Sequence, residues 1–134
     1  MIVKNDTKCF ACGPDNPIGL KLKFTPIPNG VQTIFTPSNA YQGFENIIHG
    51  GIVATLLDEA IAWACRIGGV DAVTGELTIR YKKPLIADMP ITITGIIEHN
   101  KGKLLFGSAY IKDQDGNLIA TASAKMVPAT NREQ

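Results

Sequence analysis

At 134 residues, 45% of them apolar, the chain is long enough to bury roughly two-thirds of its unfolded surface around one core. Thirteen Lys and Arg against twelve Asp and Glu leave a formal net charge of +1, too small a field to gather nucleic acid or an anionic membrane, so an anionic ligand has to be held by local contacts. No apolar run approaches the ~20 residues of a membrane helix, and Met1-Ile2-Val3-Lys4-Asn5-Asp6 lacks the apolar centre of a secretory signal.

In chain order, residues 1–18 read as an irregular opening, with Cys9 to Pro17 rich in Gly, Pro and Asn. Leu20, Leu22 and Phe24 then alternate with Lys21 and Lys23, the period of a half-buried strand. Asn29-Gly30 is expected to form a type I′ hairpin turn, because both residues tolerate positive φ, with Val31 to Thr36 as the returning strand. From Gly50 to Ile67 the apolar residues run nearly all the way round a helical wheel, which predicts a buried helix stopped by Gly68-Gly69. Four strands follow: Val73 to Lys82, Ile91 to Glu98, Lys103 to Lys112 and Leu118 to Val127. Asn100-Lys101-Gly102 and Asp115-Gly116-Asn117 supply turns. No repeat or linker divides the chain, so a single domain over 1–134 is expected. A lone apolar helix needs a wrapping partner, and a curved antiparallel sheet is the only material on offer, which makes the fold class α+β.

Chemistry concentrates around that helix. Asp58, followed by Glu59, lies in its apolar middle, where a carboxylate costs several kcal/mol unless it is paired or faces a cavity. One reading puts Asp58 on a polar stripe touching water or a strand hydroxyl; the other makes it a reacting group. Ile48-His49-Gly50-Gly51 stands directly before the helix. There the first N–H groups have no intrahelical acceptor and the positive end of the dipole suits a developing oxyanion, although His49 as a plain cap explains the same residues. His49 and Asp58 are nine residues apart, about 13 Å of helical rise and half a turn, so one chain cannot aim both at one carbonyl. If both serve one substrate, the site is shared across a two-fold dimer.

The stretch Tyr41 to Cys65, YQGFENIIHGGIVATLLDEAIAWAC, resembles the signature of hotdog-fold thioesterases of the phenylacetate-pathway and THEM type, whose hallmark is HGG with an acid nine residues after the His. Tyr81-Lys82-Lys83-Pro84 is similar to the strand end before the family's substrate loop, and Asp113-Gln114-Asp115-Gly116 to its last hairpin. The resemblance implies a hotdog fold, a sheet wrapped around one long helix. It also implies an acyl-CoA thioesterase active as a homodimer or homotetramer with interfacial sites and no cofactor. Asp58 would act as general base or nucleophile while the Gly50 N–H polarises the thioester carbonyl. His49 would orient the helix start, with Gly51 beside it at the substrate. Where the family places an Asn this chain has Gly43, and the role passes to the neighbouring Gln42. A water-holding hydroxyl falls on Thr74, although strand alternation turns Thr74 away from the core with Glu76 and Thr78. Arg80, Lys82 and Lys83, with Lys101 and Lys103 as a second cluster, are the candidates for the phosphates of coenzyme A.

Cys9-Phe10-Ala11-Cys12 has the spacing of half a zinc site. No second pair accompanies it, His49 and His99 lie far along the chain, a redox role would expect a βαβ setting, and no metal is expected; a packing or loop-shaping role is preferred. The opening with Asn16-Pro17-Ile18-Gly19-Leu20 is similar to that of some thioesterases of this type, and the resemblance implies that it helps to cover the acyl pocket. Three cysteines that cannot all pair fit a reducing cytoplasm. His99 reads as a surface turn, Trp63 and Tyr110 as core. Two other readings remain on the same scaffold, a non-catalytic acyl-CoA binding module and a dehydratase. The first has no need of Asp58 beside the thioester, and the second needs a His base in a motif that His49-Gly50-Gly51 does not match.

Overall fold

The structure is a computed structural model and describes residues 1–101 and 103–131, the side chains of 99–101 and 131 excepted. Strands β2 (Thr25–Ile27) and β3 (Gly30–Phe35) precede helix α1 (Gly50–Ile67), and β4 (Ala72–Tyr81), β5 (Ile91–Lys101), β6 (Leu104–Asp113) and β7 (Leu118–Pro128) follow it. These six strands form one antiparallel sheet in the order β2-β3-β5-β6-β7-β4. The architecture is the α+β arrangement expected, with α1 lying against β3, β4, β5, β6 and β7. A further pair, β1 (Ile2–Val3) and β8 (Thr130–Asn131), runs parallel at the side, so the opening segment is not wholly irregular.

The helix is amphipathic, not buried all round. Val53, Leu56, Leu57, Ala60, Ile61, Ala64 and Cys65 recur at spacings of three and four and are buried, whereas Ala54, Asp58, Glu59, Ala62 and Trp63 are half-buried on the remaining face. Opposite the buried stripe stand Val31, Ile93, Ile111 and Met126, all fully buried. Two sheet glycines let the layers meet. A Cβ at Gly95 would stand 2.5 Å from the Ala60 carbonyl carbon and 3.0 Å from the Ala60 Cβ, and one at Gly107 would stand 2.7 Å from Ile61 Cγ2.

His49 starts α1. Its backbone is extended (φ −55°, ψ 134°), and its Nδ1 accepts from the Gly51 N–H at 2.8 Å, which places the imidazole proton on Nε2. Gly68 ends the helix with its N–H on the Ala64 carbonyl, and Gly69 turns the chain with φ +96°.

Several local expectations are corrected. Residues 20–24 form no strand, although Leu20 and Leu22 are buried and Lys21 and Lys23 exposed. The N–H groups of Leu20 and Leu22 bond to the carbonyls of Phe10 and Ala11, so the segment zips onto the cysteine loop, and Lys21 at φ +56° breaks the extended run. The first hairpin turns at Pro28-Asn29, because Ile27 pairs with Gly30 and only Asn29 has positive φ, the pattern of a type II turn. Gly30 belongs to β3, where a Cβ would collide with Gly95. Strand β5 runs on through His99 and Asn100 to Lys101, and Gly102 of the expected turn lies outside the described residues. Trp63 and Tyr110 are half-buried, each with a cation over its ring: Arg66 at 4.8 Å and Lys112 at 5.3 Å.

Two stability measurements test this account. Gly95→Ala forces sheet and helix apart and is expected to cost about 1–3 kcal/mol in urea unfolding, the range of an overpacked core. Replacing His49 by Ala removes the cap and is expected to cost about 1 kcal/mol, whereas Asn, a competent cap, holds stability near the parent value. Equal stability of all three at position 49 would contradict the capping role.

Candidate active site

Asp58 sits midway along α1 on its half-buried face, and the Thr74 hydroxyl donates to its Oδ1 at 2.6 Å. Simple alternation turned Thr74 outward. The strand corrects it with a bulge: in the pairing of β4 with β7 the register shifts between Thr74 and Glu76, so Gly75 is an extra residue and Thr74 faces the helix. Among the described residues Asp58 Oδ2 has no hydrogen-bond partner. The carboxylate is therefore held by one oxygen and available through the other.

At the helix start the Gly50 N–H has no acceptor among the described residues, since Gly51 donates to His49 Nδ1 and both Ile52 and Val53 donate to the His49 carbonyl. The capping imidazole thus uses the Gly51 N–H, which is not free to meet a substrate, and leaves the exposed Gly50 N–H as the open donor. Tyr81, at the end of β4, donates its hydroxyl to the Gly50 carbonyl at 2.8 Å and fixes that peptide. The sequence carries no cue for this contact, because Tyr81 and Gly50 are 31 residues apart and no spacing links them.

The loop before the helix is tied on both sides. His49 donates its N–H to Tyr41 and Ile48 donates to Leu85, while Ala87 donates to Asn46. Gln42 accepts from the Asn46 N–H at 3.0 Å, so its amide oxygen closes its own loop. Gly43 is the residue beside His49, where a Cβ would come within 3.5 Å of the His49 Cα. Position 43, empty of side chain here, is therefore the one adjacent to the cap.

A groove of about 340 Å³ opens along this loop, lined by Ile48, Gly50, Val53 and Tyr81 and by Lys82 and Lys83, both exposed. The two lysines are brought to the helix start because the crossover from β4 to β5 passes beside it. Arg80 is not: with Tyr81 turned to the helix, its neighbour in the strand projects from the opposite face of the sheet. Lys101 ends β5 and its side chain lies outside the described residues, while Lys103 is exposed.

Glu59 points elsewhere. Its Oε2 accepts from the Cys9 thiol at 3.2 Å, and Cys12 lies beside the same pair. Burial first, then the nearby Asp58 charge, pushes the Glu59 carboxyl up, against the Cys9 hydrogen bond. The Cys12 thiol is pushed up to about 12, chiefly by burial, with Cys9 and the Glu59 charge adding to it. The third thiol, Cys65, is buried in the core and pushed up to about 11 by that burial.

Helix start and carboxylate cannot meet on one carbonyl within one chain, since eight residues separate Gly50 from Asp58, about 12 Å of rise. What the fold presents is a carboxylate with a free oxygen and, at a fixed distance along the same helix, a free amide at a lysine-rimmed groove. No helix among the described residues is long and apolar enough to cross a membrane.

The chain is similar to known proteins in sequence and in fold. Acyl-coenzyme A thioesterase THEM4 from Mus musculus is 27% identical over 112 residues, 81% of this chain and 48% of that protein; the Xenopus laevis one is 28% identical over 97 residues, 69% of this chain and 42% of that protein. The chain thus spans less than half the length of these curated relatives. Among solved structures, the thioesterase superfamily protein RHA08564 is 26% identical with a TM-score of 0.86, over 90% of this chain and 60% of that one. Protein smu.793 from Streptococcus mutans UA159, solved bound to acetyl CoA, is 21% identical with a TM-score of 0.76, over 83% of this chain and 90% of that one, a likeness of fold. The model of one family, described as the thioesterase superfamily, matches residues 45–120, more than half of the chain, from within the helix-start loop to the first residues of β7, and this chain belongs to that family.

Proposed function

We propose that this chain hydrolyses an acyl- or aryl-acyl-coenzyme A thioester to the free acid and coenzyme A, with each active site built from two subunits of a homo-oligomer. The observation that carries the reading is the pairing of functions on α1: Asp58, held by Thr74 with one oxygen free, and the unpaired N–H of Gly50 at the positive end of the same helix. In a two-fold arrangement the carboxylate of one subunit lies across from the helix start of its partner, and the pair is repeated. Phe44, 84% exposed on the helix-start loop, supplies apolar surface suited to such a contact.

In the general-base form, Asp58 takes a proton from water while the water oxygen bonds to the thioester carbon. The carbonyl oxygen gains the negative charge and is stabilised by the Gly50 N–H of the other subunit. The C–S bond then breaks, and the departing thiolate takes the proton back from Asp58. In the nucleophilic form, the free carboxylate oxygen bonds to the thioester carbon, the C–S bond breaks and the thiolate leaves to be protonated by solvent, and water then hydrolyses the resulting anhydride to the free acid and the Asp58 carboxylate. Neither route calls for a metal or an organic cofactor. Thr74 positions the carboxylate, His49 and Tyr81 position the amide, and Lys82 and Lys83 offer charge to the phosphates of the nucleotide. A reducing cytoplasm suits the free thiols.

Acyl-CoAs of varied chain and ring type, incubated with a thiol reagent, report hydrolysis as released coenzyme A. Asp58→Asn is expected to lower kcat about 10²–10⁴-fold, the range for a lost general base. Thr74→Val is expected to lower it about 10–100-fold, the worth of one hydrogen bond to a charged group. Undiminished release by Asp58→Asn refutes the role of Asp58, and binding without release by the parent identifies a ligand-binding module instead.

The shared site has its own test. Gly50→Pro deletes the N–H with the helix start kept, because proline suits the first helical position, His49 already has the extended backbone that precedes proline, and a Cβ there meets Tyr81 at an ordinary 3.6 Å. Each of Gly50→Pro and Asp58→Asn alone should be inactive. Unfolded together and refolded as mixed dimers, they should recover about a quarter of parent activity, since half the dimers are mixed and each carries one intact site. No recovery in dimers proven to mix would sink the two-subunit site.

A further inference from the structure

We propose that Cys9, Cys12 and Glu59 form a binding site for one zinc ion, which pins the cysteine loop to α1. Their three donor atoms, two Sγ and one carboxylate oxygen, lie within 4.8 Å of one another, and Cys9 Sγ is already 3.2 Å from Glu59 Oε2. Zn–S bonds of about 2.3 Å place tetrahedral neighbours about 3.8 Å apart, so small side-chain rotations close the set around an ion. The spacing of the cysteines offered only half a site. The third ligand comes from the helix, 50 residues beyond Cys9, where no local pattern points to it.

The loop is shaped for this task. Gly13 donates its N–H to the Cys9 carbonyl at 2.8 Å, closing a tight turn in which a Cβ would stand 2.5 Å from the Thr7 carbonyl oxygen and 2.6 Å from that of Cys9. The turn aims both sulfurs at one point. Trp63 lines the same cavity as the two sulfurs and Glu59 and walls the cluster on its helix side. Arg66, which lines the same cavity, is stacked on Trp63 at 4.8 Å and paired with Asp71 at 3.8 Å. Without an ion the cluster holds three acidic groups and only thiol protons between them.

Two soft sulfur donors select zinc over magnesium or calcium, which take oxygen ligands. Three protein ligands leave a fourth position for water, on the side of a cavity of about 420 Å³ bounded by Val3, Asn5, Asp6, Lys8 and Val73. Binding converts two thiols to thiolates and releases their protons to the medium, so affinity falls as pH falls. The ion lies behind the active carboxylate, on the helical turn that carries Asp58. Its role is to hold the loop and α1 together, independent of the hydrolysis proposed above.

The full chain, stripped with chelator and kept reduced, is titrated with zinc against a chromophoric chelator and separately with cobalt. One ion per chain is expected, and cobalt should give the near-ultraviolet charge-transfer band of thiolate ligation. Cys9→Ser and Cys12→Ser should each abolish the band, Cys65→Ser should leave it intact, and Glu59→Gln, near isosteric, should weaken zinc binding by about tenfold or more with the fold retained by circular dichroism. The proposal is overturned if the reduced parent binds no metal, if the Cys9→Ser/Cys12→Ser double variant binds as tightly as the parent, or if Glu59→Gln binds as tightly as the parent.

Discussion

The seat of α1 on the sheet at Gly95 and Gly107 governs everything else in this molecule. With no side chain at either position, the Ala60 and Ile61 turn of the helix sinks onto the strands, and the buried stripe from Val53 to Cys65 reaches Ile93, Ile111 and Met126. Burial on one side fixes rotation about the helix axis. Asp58 and Glu59, adjacent in sequence and about 100° apart on the wheel, are thereby assigned to different neighbourhoods: Asp58 to Thr74 on β4, Glu59 to the cysteine loop. A helix lifted by a single methyl group would blur that assignment, since close-packed layers transmit displacement instead of absorbing it.

The helix start is organised by a division of labour among four N–H groups that α-helical geometry leaves without partners. That of His49 itself bonds to the Tyr41 carbonyl, that of Gly51 to His49 Nδ1 and that of Ile52 to the His49 carbonyl, and the one left over, at Gly50, lines the lysine-rimmed groove. The capping of the helix and the choice of the open amide are therefore tied to one residue, His49. The imidazole takes the Gly51 N–H and the His49 carbonyl that of Ile52, which leaves Gly50 open, and Tyr81 holds that peptide from its carbonyl side.

Much of this was legible in order of residues. The helix matched at both ends, Gly50 and Ile67, because a change of periodicity coincides there with a cap and a Gly-Gly stop, and the four later strands matched to within a few residues, most nearly where apolar alternation is regular. What escaped were features decided by partners distant in sequence. Leu20 to Phe24 alternate as a strand does, yet their backbone bonds to the cysteine loop, and alternation reports which side chains are buried without saying what the backbone pairs with. Pro28 displaced the first turn by one residue, since its fixed φ suits the first central position and left Asn29 the positive one. The convergence of Glu59 on Cys9 and Cys12 had no local signature at all.

The bulge at Gly75 carries a lesson about parity. Thr74 and Tyr81 are seven positions apart, an odd count that in a regular ribbon would set them on opposite surfaces; one supernumerary residue restores them to the same surface, each with a hydroxyl on α1. Length and identity are thus unequal currencies along this strand. Exchanging Gly75 for another amino acid alters local strain, whereas deleting it would invert the orientation of everything between Ala72 and Thr74 and swing the oxygen that steadies the acid out into solvent.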